Sequence, residues 1–295
     1  MSKILVYGSN GFIGNKLINI LKEKSINYIA SNVRLENYGD IGKELHELKP
    51  SHVILAAGLT GKPNVDWCED HKKEVLRVNV IGTSVLADEC FKRNIHLTYF
   101  GSGCIYEYNE EHRLYKKDDF EFLIGYYEDD EPNFDKSFYS KTKIIIEKIL
   151  KNYNNILILR LRMPISDELS PKNFITKIIN YKKVINIPNS MTILYELLPI
   201  SIDMLLKNKV GIYNFTNPGR ISHNEILELY KQYIDPNFTW KNFTIKEQNK
   251  ILKANRSNNF LETDKLCKEY NVDDINIGIK KLFERMKNNL NNKLV

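Results

Sequence analysis

Tyr139 and Lys143 stand four residues apart, which places both side chains on one face of a helix. A tyrosine phenol has a reference pKa of about 10 and is a poor acid–base catalyst near neutrality. A lysine ammonium one turn away stabilises the phenolate and lowers that pKa toward working pH. Ser102 precedes the pair in the chain and can hydrogen-bond a substrate carbonyl. These three residues are candidates for a carbonyl reduction in which an oxygen is protonated while a hydride arrives at its carbon.

Cys104 stands two residues after Ser102, on the same side of the chain if the strand continues. The strand predicted at 97–100 ends in GSGCIY, and the carboxyl end of a central strand faces the ligand crevice in open α/β sheets. Cys104 is therefore a second candidate for chemistry at the substrate. The alternative is a buried, small apolar side chain, which is the commoner fate of a free cysteine.

Three glycines near the start of the chain predict a binding turn for a dinucleotide. Residues 4–6 form a short apolar run, and residues 12–21 have helical periodicity. Glycines between them let backbone N–H groups approach a pyrophosphate, and the helix N-terminus adds partial positive charge. The alternative is a turn that only reverses the chain. The expected cofactor contacts are Gly8, Asn10, Gly11, Phe12, Ile13 and Gly14.

The second predicted strand, at 27–30, ends where a Rossmann-type sheet faces the adenosine ribose. No acidic residue follows it before Glu36, whereas Arg34 is placed to pair with a ribose 2′-phosphate. This pattern favours NADPH, with NADH as the alternative cofactor. An ordinary surface arginine is the alternative for Arg34.

Small residues follow the third predicted strand, at 52–56. Ala57 and Gly58 let a flat cofactor lie close to the backbone and are expected to contact it. The loop at 59–68 follows at the carboxyl end of the sheet, where Thr60, Gly61 and Asn64 are candidate substrate contacts. For each of these three residues taken singly, an ordinary capped loop is an equally good explanation.

The remaining periodicity predicts helices at 41–48, 69–93, 137–153, 171–181 and 275–290, strands at 97–100 and 211–215, and a polar tail. Residues 107–135 are polar and acidic and predict an irregular surface excursion. The pairs Ser222–Glu225 and Thr244–Glu247 have the spacing of capping boxes. Asn79 lies inside the helix predicted at 69–93, where it either holds a neighbouring loop by its amide or faces water.

The composition of the 295 residues is that of an ordinary globular protein, with 42% hydrophobic and 27% charged residues. The net charge of +6 comes without a basic arm, so nucleic acid is not an expected partner. Four cysteines without a C-x-x-C pair predict neither a metal site nor disulfides and favour a reducing, cytoplasmic location. No apolar run approaches ~20 residues, and the early first strand leaves no room for a signal peptide, so no membrane association is expected.

Several motifs together carry a family resemblance. GSNGFIG (8–14), GSGCIY (101–106) and YSKTK (139–143) resemble the extended short-chain dehydrogenase/reductase superfamily. AAGLTGKPNVDWCEDHK (56–72), PNFDKSFYSKTK (132–143), LRMPISDELSPKNFITKI (161–178), NFTNPG (214–219) and RSNN (256–259) are similar to the bifunctional UDP-4-keto-6-deoxyglucose 3,5-epimerase/4-reductases. This second resemblance covers nearly the whole chain, loops included.

The resemblance implies an α/β fold, a Rossmann-type doubly wound parallel sheet with a smaller, discontinuous C-terminal substrate-binding lobe. We expect the NADP-binding domain at 1–164, rejoined by about 183–217, and the substrate-binding lobe mainly at 165–295. The implied reaction inverts C3 and C5 of a UDP-4-keto sugar and then reduces its C4 ketone with NADPH, giving UDP-L-rhamnose. A separate UDP-glucose 4,6-dehydratase would supply the substrate. A homodimer is common in the superfamily and stays open here.

For the reduction, the resemblance carries over Ser102, Tyr139 and Lys143. For the epimerisation, Cys104 matches the cysteine of the related GDP-fucose synthase, whose partner there is a histidine. No histidine stands between 163 and 191 in this chain, and the helix predicted there offers Lys177 instead, with a solvated helix lysine as the alternative. The expected substrate contacts in the second lobe are Asn173, Phe174, Arg256 beside the diphosphate, and Asn259.

Two other functions stay open at this point. A reductase fed by a separate epimerase would use Ser102, Tyr139 and Lys143 but not Cys104. A non-catalytic NADP-binding regulatory subunit would need none of them, and fold alone does not exclude it.

Overall fold

The structure, a computed structural model, describes residues 2–112, 114–117 and 120–291, with the segments 114–117 and 120–123 described by their backbone alone. The strands in this part of the chain are β1 (Ile4–Tyr7), β2 (Tyr28–Ala30), β3 (His52–Leu55), β4 (His96–Ser102), β5 (Leu114–Lys117), β6 (Phe120–Leu123), β7 (Ile156–Leu161), β8 (Pro164–Ile165), β9 (Thr192–Ile193) and β10 (Gly211–Asn214).

Helices cover the sheet and build the second lobe. They are α1 (Phe12–Glu23), α2 (Tyr38–Leu48), α3 (Trp67–Asp70), α4 (Lys72–Leu76), a π-helical turn (Arg77–Gly82), α5 (Thr83–Lys92), α6 (Phe138–Leu150), α7 (Phe174–Ile179), α8 (Leu194–Leu206), α9 (His223–Tyr233), α10 (Ile245–Ile251), α11 (Asp264–Cys267) and α12 (Ile275–Asn291).

Six strands form one parallel sheet in the order β10-β7-β4-β3-β1-β2. The central strands are continuous apolar runs because helices cover both of their faces. The order changes direction between β1 and β3, and the carboxyl ends of strands on either side of such a point leave a crevice for ligands. The doubly wound Rossmann-type fold is confirmed.

Two apolar cores lie on the two faces of this sheet. On one face, Leu17 and Leu21 of α1 and Leu198 of α8 pack on β1 and β7. On the other face, Ile41 of α2 and Leu86 of α5 pack on β3 and β4. The strands and helices that carry the glycine turn, Ser102 and Tyr139 are therefore anchored from both sides.

A third apolar core belongs to the C-terminal half of the chain. Ile178 of α7, Ile226 of α9 and Phe283 of α12 meet in it, together with the short parallel pair β8–β9. The chain returns from this lobe to the large sheet through α8 and β10. Both predicted capping boxes are present, at Ser222–Glu225 and Thr244–Glu247, and open α9 and α10.

Several element predictions need correction. The single helix expected at 69–93 is α3, α4, the π turn and α5. His71, with φ −122° and ψ 41°, separates α3 from α4, and one extra residue per turn at 77–82 changes which side chains face the sheet in α5. The segment expected to be irregular contains the antiparallel hairpin β5–β6, which is too short for a periodicity signal. The helix expected at 171–181 is confined to Phe174–Ile179. The end of the polar tail lies outside the described residues.

Candidate active site

The glycine turn between β1 and α1 has a backbone that other residues would not fit. Gly8 has φ +79°, and a Cβ on it would lie 2.5 Å from the Ala57 nitrogen. A Cβ on Gly14 would lie 2.1 Å from the Gly8 oxygen. In the described chain no side chain caps α1, which begins after Gly11, so its first N–H groups face the crevice without a local acceptor. Asn10 is exposed beside this turn.

Phe12 and Ile13, the other two residues predicted to contact a cofactor here, are half-buried at the start of α1. Arg34 is exposed after β2, where its guanidinium pairs with Glu36 at 2.9 Å. An exposed ion pair of this kind is worth about 0–1 kcal/mol. A ribose 2′-phosphate could therefore compete with Glu36 for Arg34 at little cost.

Lys143 of α6 lies beside the end of β3. Its Nζ is 3.8 Å from where a Cβ on Gly58 would be. The Asn79 amide in the π turn accepts from the Leu59 N–H at 2.8 Å and donates to the Leu59 carbonyl at 2.9 Å. Asn79 thus holds the following loop, as one of its two predicted roles required. Burial lowers the pKa of Lys143 to about 8 although negative charge on Cys104 and Glu147 would favour its cation.

Tyr139 and Ser102 meet at the carboxyl end of β4. Tyr139 is 8% exposed, and its phenol lies near the Ser102 hydroxyl. Burial, followed by the proximity of Cys104, raises the pKa of Tyr139, while Ser102 lowers it. The expectation that Lys143 brings this pKa toward neutrality is therefore wrong, because desolvation dominates. The phenol stays protonated, which is the form that donates a proton to a carbonyl oxygen.

Cys104 packs against Tyr139 in a small apolar cluster with Cys68 and Val75. Its backbone is fixed from two sides. The Cys104 N–H donates to Ser102 Oγ at 3.1 Å, and the Ser140 hydroxyl donates to the Cys104 carbonyl at 2.6 Å. Ser140 lies in the first turn of α6, so the same helix positions Tyr139 and the cysteine backbone.

Arg162 is a residue of the site that our sequence analysis missed. It follows β7, is fully buried, and donates from Nη1 to Cys104 Sγ at 3.0 Å. The sequence LILRLRM holds a signal for Arg162. One arginine lies within an apolar strand and one follows it, and such arginines are costly to bury unless each has a specific partner. Arg160 finds that partner in Glu147, at 2.7 Å.

The loop after β3 meets the segment at 254–259. Arg256 donates to Asp66 Oδ1 at 2.8 Å and to Asn64 Oδ1 at 3.3 Å. Gly61 supports the same loop, since its φ is +78° and a Cβ would lie 2.4 Å from the Asn64 carbonyl oxygen. Thr60 is exposed beside them. The structure thus brings together the predicted contacts Thr60, Gly61, Asn64 and Arg256.

Lys177 lies one turn into α7, where its N–H donates to the Asn173 carbonyl at 3.1 Å. Burial, with a smaller contribution from Lys172, lowers the pKa of Lys177. The half-buried Phe174 ring packs beside His223, with ring centroids 5.1 Å apart.

Two predicted substrate contacts do not fit their positions. The side chain of Asn173 is fully buried and caps α7, bonding the Ile175 N–H and the carbonyls of Ser166 and Glu168. The Asn259 amide is also fully buried. It donates to the carbonyls of Gly103 and Tyr106 at 2.9 Å each. Both amides hold backbone segments around the site and leave no surface for a sugar.

The described residues contain neither a candidate metal centre nor a candidate membrane-spanning helix. No group of three or more His, Cys, Asp or Glu side chains there could hold a metal ion. No helix in that part of the chain is long and apolar enough to cross a membrane.

Comparison with known proteins gives relatives along most of the chain. A bifunctional dTDP-4-dehydrorhamnose 3,5-epimerase/dTDP-4-dehydrorhamnose reductase of Arabidopsis thaliana is 54% identical over 267 residues, which are 90% of this chain and 87% of that protein. A trifunctional UDP-glucose 4,6-dehydratase/UDP-4-keto-6-deoxy-D-glucose 3,5-epimerase/UDP-4-keto-L-rhamnose-reductase of the same plant is 52% identical over 91% of this chain. The chain spans 40% of the length of that trifunctional protein.

Among solved structures, the L780 UDP-rhamnose synthase of Acanthamoeba polyphaga mimivirus superposes with a TM-score of 0.89 and 40% identity. The match covers 96% of this chain and 99% of that one. The family pattern described as the RmlD substrate binding domain matches residues 2–186. This chain belongs to the RmlD substrate binding domain family, and within it to the nucleotide-sugar 3,5-epimerase/4-reductase enzymes.

Proposed function

We propose that this protein converts UDP-4-keto-6-deoxy-D-glucose to UDP-L-rhamnose by inverting C3 and C5 and then reducing the C4 ketone with NADPH. The observation that carries the proposal is the convergence of Ser102, Tyr139 and Cys104 at one end of β4. The Tyr139 phenol lies near the Ser102 hydroxyl, and Cys104 packs against the cluster that contains Tyr139. One sugar carbonyl at this point can meet the groups for both reactions.

The reduction uses the phenol and the hydroxyl. Ser102 donates a hydrogen bond to the C4 carbonyl oxygen, and Tyr139 gives that oxygen its proton as negative charge develops there. The high pKa of the buried phenol keeps its proton in place until then. Lys143, at the base of the same pocket, compensates the phenolate that is left behind.

The epimerisation uses groups on two sides of the sugar. A C4 ketone makes the hydrogens on C3 and C5 acidic, since the carbanion is delocalised onto the carbonyl oxygen held by Ser102 and Tyr139. Cys104 and Lys177 form the acid–base pair of this proposal. Burial lowers the pKa of Lys177, which favours the neutral amine, the form that accepts a proton.

The residues around the glycine turn fit a dinucleotide. Glycine at 8 and 14 lets the turn pack closely, because a Cβ at Gly8 would meet the Ala57 backbone and a Cβ at Gly14 would meet the Gly8 carbonyl oxygen. In the part of the chain that the structure describes, no side chain caps the first N–H groups of α1, which leaves them for a pyrophosphate. When bound, NADPH supplies the hydride for C4. Lys143 and Gly58 lie side by side where the nicotinamide end would be held, and Arg34 would pair with the 2′-phosphate. On the sugar-nucleotide side, Arg256 and Asn64 would hold the diphosphate.

The substrate class also has implications for supply and location. The trifunctional relative carries a dehydratase activity in its name, together with the epimerase and reductase activities that use its product. We therefore propose that a separate UDP-glucose 4,6-dehydratase makes the 4-keto sugar. The four cysteines are free thiols, which fits the proposed reducing cytoplasm. We also propose that the protein is a homodimer, which gel filtration tests.

The test is an assay in deuterated water with UDP-4-keto-6-deoxyglucose and NADPH. We expect loss of the nicotinamide absorbance band and an NMR spectrum of UDP-L-rhamnose with one deuterium at each of C3 and C5. The dTDP sugar, run in parallel, tests the choice of base. Oxidation of NADPH without deuterium at C3 or C5 would favour a 4-reductase only, and no oxidation with either sugar would leave a binding protein.

A further inference from the structure

Arg162 is a fully buried cation without a carboxylate partner among the described residues. Its Nη1 donates to Cys104 Sγ and to Ser257 Oγ, both at 3.0 Å. Its Nη2 donates to the Ser257 carbonyl at 3.2 Å and to Asn189 Oδ1. Of these acceptors, only the sulfur can become an anion by losing a proton.

A buried guanidinium is stable only when its charge is compensated. Arg160, two residues earlier, shows the usual solution, a buried ion pair with Glu147 at 2.7 Å. Hydrogen bonds between ionised partners are about twice as strong as neutral ones. A thiolate at Cys104 would give Arg162 the negative charge that its other acceptors do not provide.

We propose that Arg162 is a positioning residue for the epimerisation, holding Cys104 as a thiolate aimed at the sugar. The proposal rests on the proposed function for its substrate. The contact between Arg162 and Cys104 does not depend on that function. In the step that it supports, the thiolate sulfur bonds the proton from a carbon next to the C4 ketone. The electron pair of the broken C–H bond moves to the carbonyl oxygen as an enolate, and the thiolate becomes a thiol.

The surroundings hold this pair in one arrangement. A Cβ on Gly103 would lie 3.0 Å from Cγ and Cδ of Arg162, so only glycine lets the arginine stem pass behind the cysteine. Among the described residues, the other titratable groups around Cys104 come from α6 and α3. Burial keeps Tyr139 of α6 neutral and raises the pKa of Cys68 of α3 to about 11, while the Lys143 cation favours negative charge on the sulfur.

The first test uses the wild-type protein and needs no substrate. Iodoacetamide reacts with thiolates, and peptide mass spectrometry reports the rate at each cysteine separately. Cys267 is the internal control. It is an exposed residue, and partial burial of its thiol raises the pKa. From about pH 8.5 to about pH 6.5 we expect the Cys267 rate to fall about 100-fold and the Cys104 rate less than about threefold. Parallel decreases would overturn the proposal.

The second test uses two substitutions. Arg162→Met removes the cation, and we expect the Cys104 alkylation rate at about pH 6.5 to fall at least about tenfold. Arg162→Lys keeps a cation and should recover part of that rate. Deuterium exchange at C3 and C5 of UDP-4-keto-6-deoxyglucose should follow the same order, with a larger loss than in the reduction of UDP-4-keto-L-rhamnose. Equal alkylation rates in the wild type and Arg162→Met would contradict the inference.

These readouts separate the two proposals. If the wild type neither exchanges deuterium nor oxidises NADPH while Cys104 keeps its flat alkylation profile, the proposed function fails and the arginine–thiolate pair remains. If Arg162→Met does not fold, shown by a lost thermal transition, the wild-type alkylation profile still decides the matter.

Discussion

Lys143 donates a hydrogen bond of 2.7 Å to the phenol oxygen of Tyr99, a fully buried residue of β4. The ammonium also lies 5.0 Å from the Tyr99 ring centroid and 5.8 Å from that of Tyr139. Lys143 is thus held between two phenols, one of which belongs to the proposed catalytic trio. The second phenol was not part of the sequence prediction.

Tyr99→Phe removes this hydrogen-bond acceptor and keeps the aromatic ring. Hydrogen bonds to a charged group are worth about 1.5–3 kcal/mol, so we expect the pKa of Lys143 to fall further below its present value of about 8 by about one to two units. The alkaline limb of the kcat profile for NADPH-dependent reduction should move to lower pH by that amount. An unchanged pH profile would show that Tyr99 does not act through Lys143.

Glu147 and Arg160 form a buried ion pair, with side chains only 7% and 2% exposed. Removing one partner leaves an uncompensated charge, so Glu147→Ala should lower the free energy of unfolding by about 3–5 kcal/mol in urea denaturation. Lys148→Ala, the neighbouring position on α6, breaks only the exposed contact with Glu131 and should cost less than about 1 kcal/mol. Equal costs would contradict the assignment.

We expect the buried His223 to make the folded protein less stable in acid. Burial lowers its pKa to about 4, against about 6.5 in the unfolded chain. The unfolded chain therefore binds a proton at higher pH, and the free energy of unfolding falls as the pH drops through this window. The fall reaches about 3 kcal/mol by pH 4.

His223→Gln should remove this part of the pH dependence, measured as the difference in unfolding free energy between the variant and the wild type at several pH values. Burial also lowers the pKa values of His52 and His96, so a smaller acid sensitivity should remain. The exposed His46 offers the control, and His46→Gln should leave the curve unchanged. Identical curves for His223→Gln and the wild type would refute the assignment.

Gly103→Ala tests the packing behind Cys104. The added Cβ would lie 2.6 Å from Leu261 Cδ1 and 3.0 Å from the Arg162 stem. We expect destabilisation of about 1–3 kcal/mol, because the core is overpacked at this point, and slower alkylation of Cys104. Gly39→Ala, in α2 with open space around its Cβ, should instead stabilise the protein by up to about 1 kcal/mol.

Local patterns predicted much of this molecule. The apolar runs of β1 and β3 and the glycine turn predicted the start of the sheet, and the spacing of Tyr139 and Lys143 placed them on one helix face. The strand β7 was not predicted. The four-residue spacing could not show that Lys143 bonds Tyr99, because that contact joins residues 44 positions apart and exists only once α6 packs on β4.

Predictions failed where tertiary contacts decide a polar side chain's role. Asn173 and Asn259 were predicted to contact the substrate, but both are buried and bond backbone groups. Arg162 looked like one of many cations, and only the fold brings it across 58 positions to Cys104. The Cys104–Arg162 contact depends on the pairing of β4 with β7, where Ser102 lies beside Leu161, and residue spacing alone does not encode that pairing.

The central claim is that one pocket holds both reactions, with Cys104 serving only the epimerisation. The most direct measurement compares Cys104→Ser with the wild type on two substrates, UDP-4-keto-6-deoxyglucose in deuterated water and UDP-4-keto-L-rhamnose with NADPH. We predict that deuterium exchange at C3 or C5 falls by at least about 100-fold, since the loss of an acid–base catalyst costs about 10²–10⁴, while the reduction of the second substrate is retained. Exchange at the wild-type rate in Cys104→Ser would contradict the account.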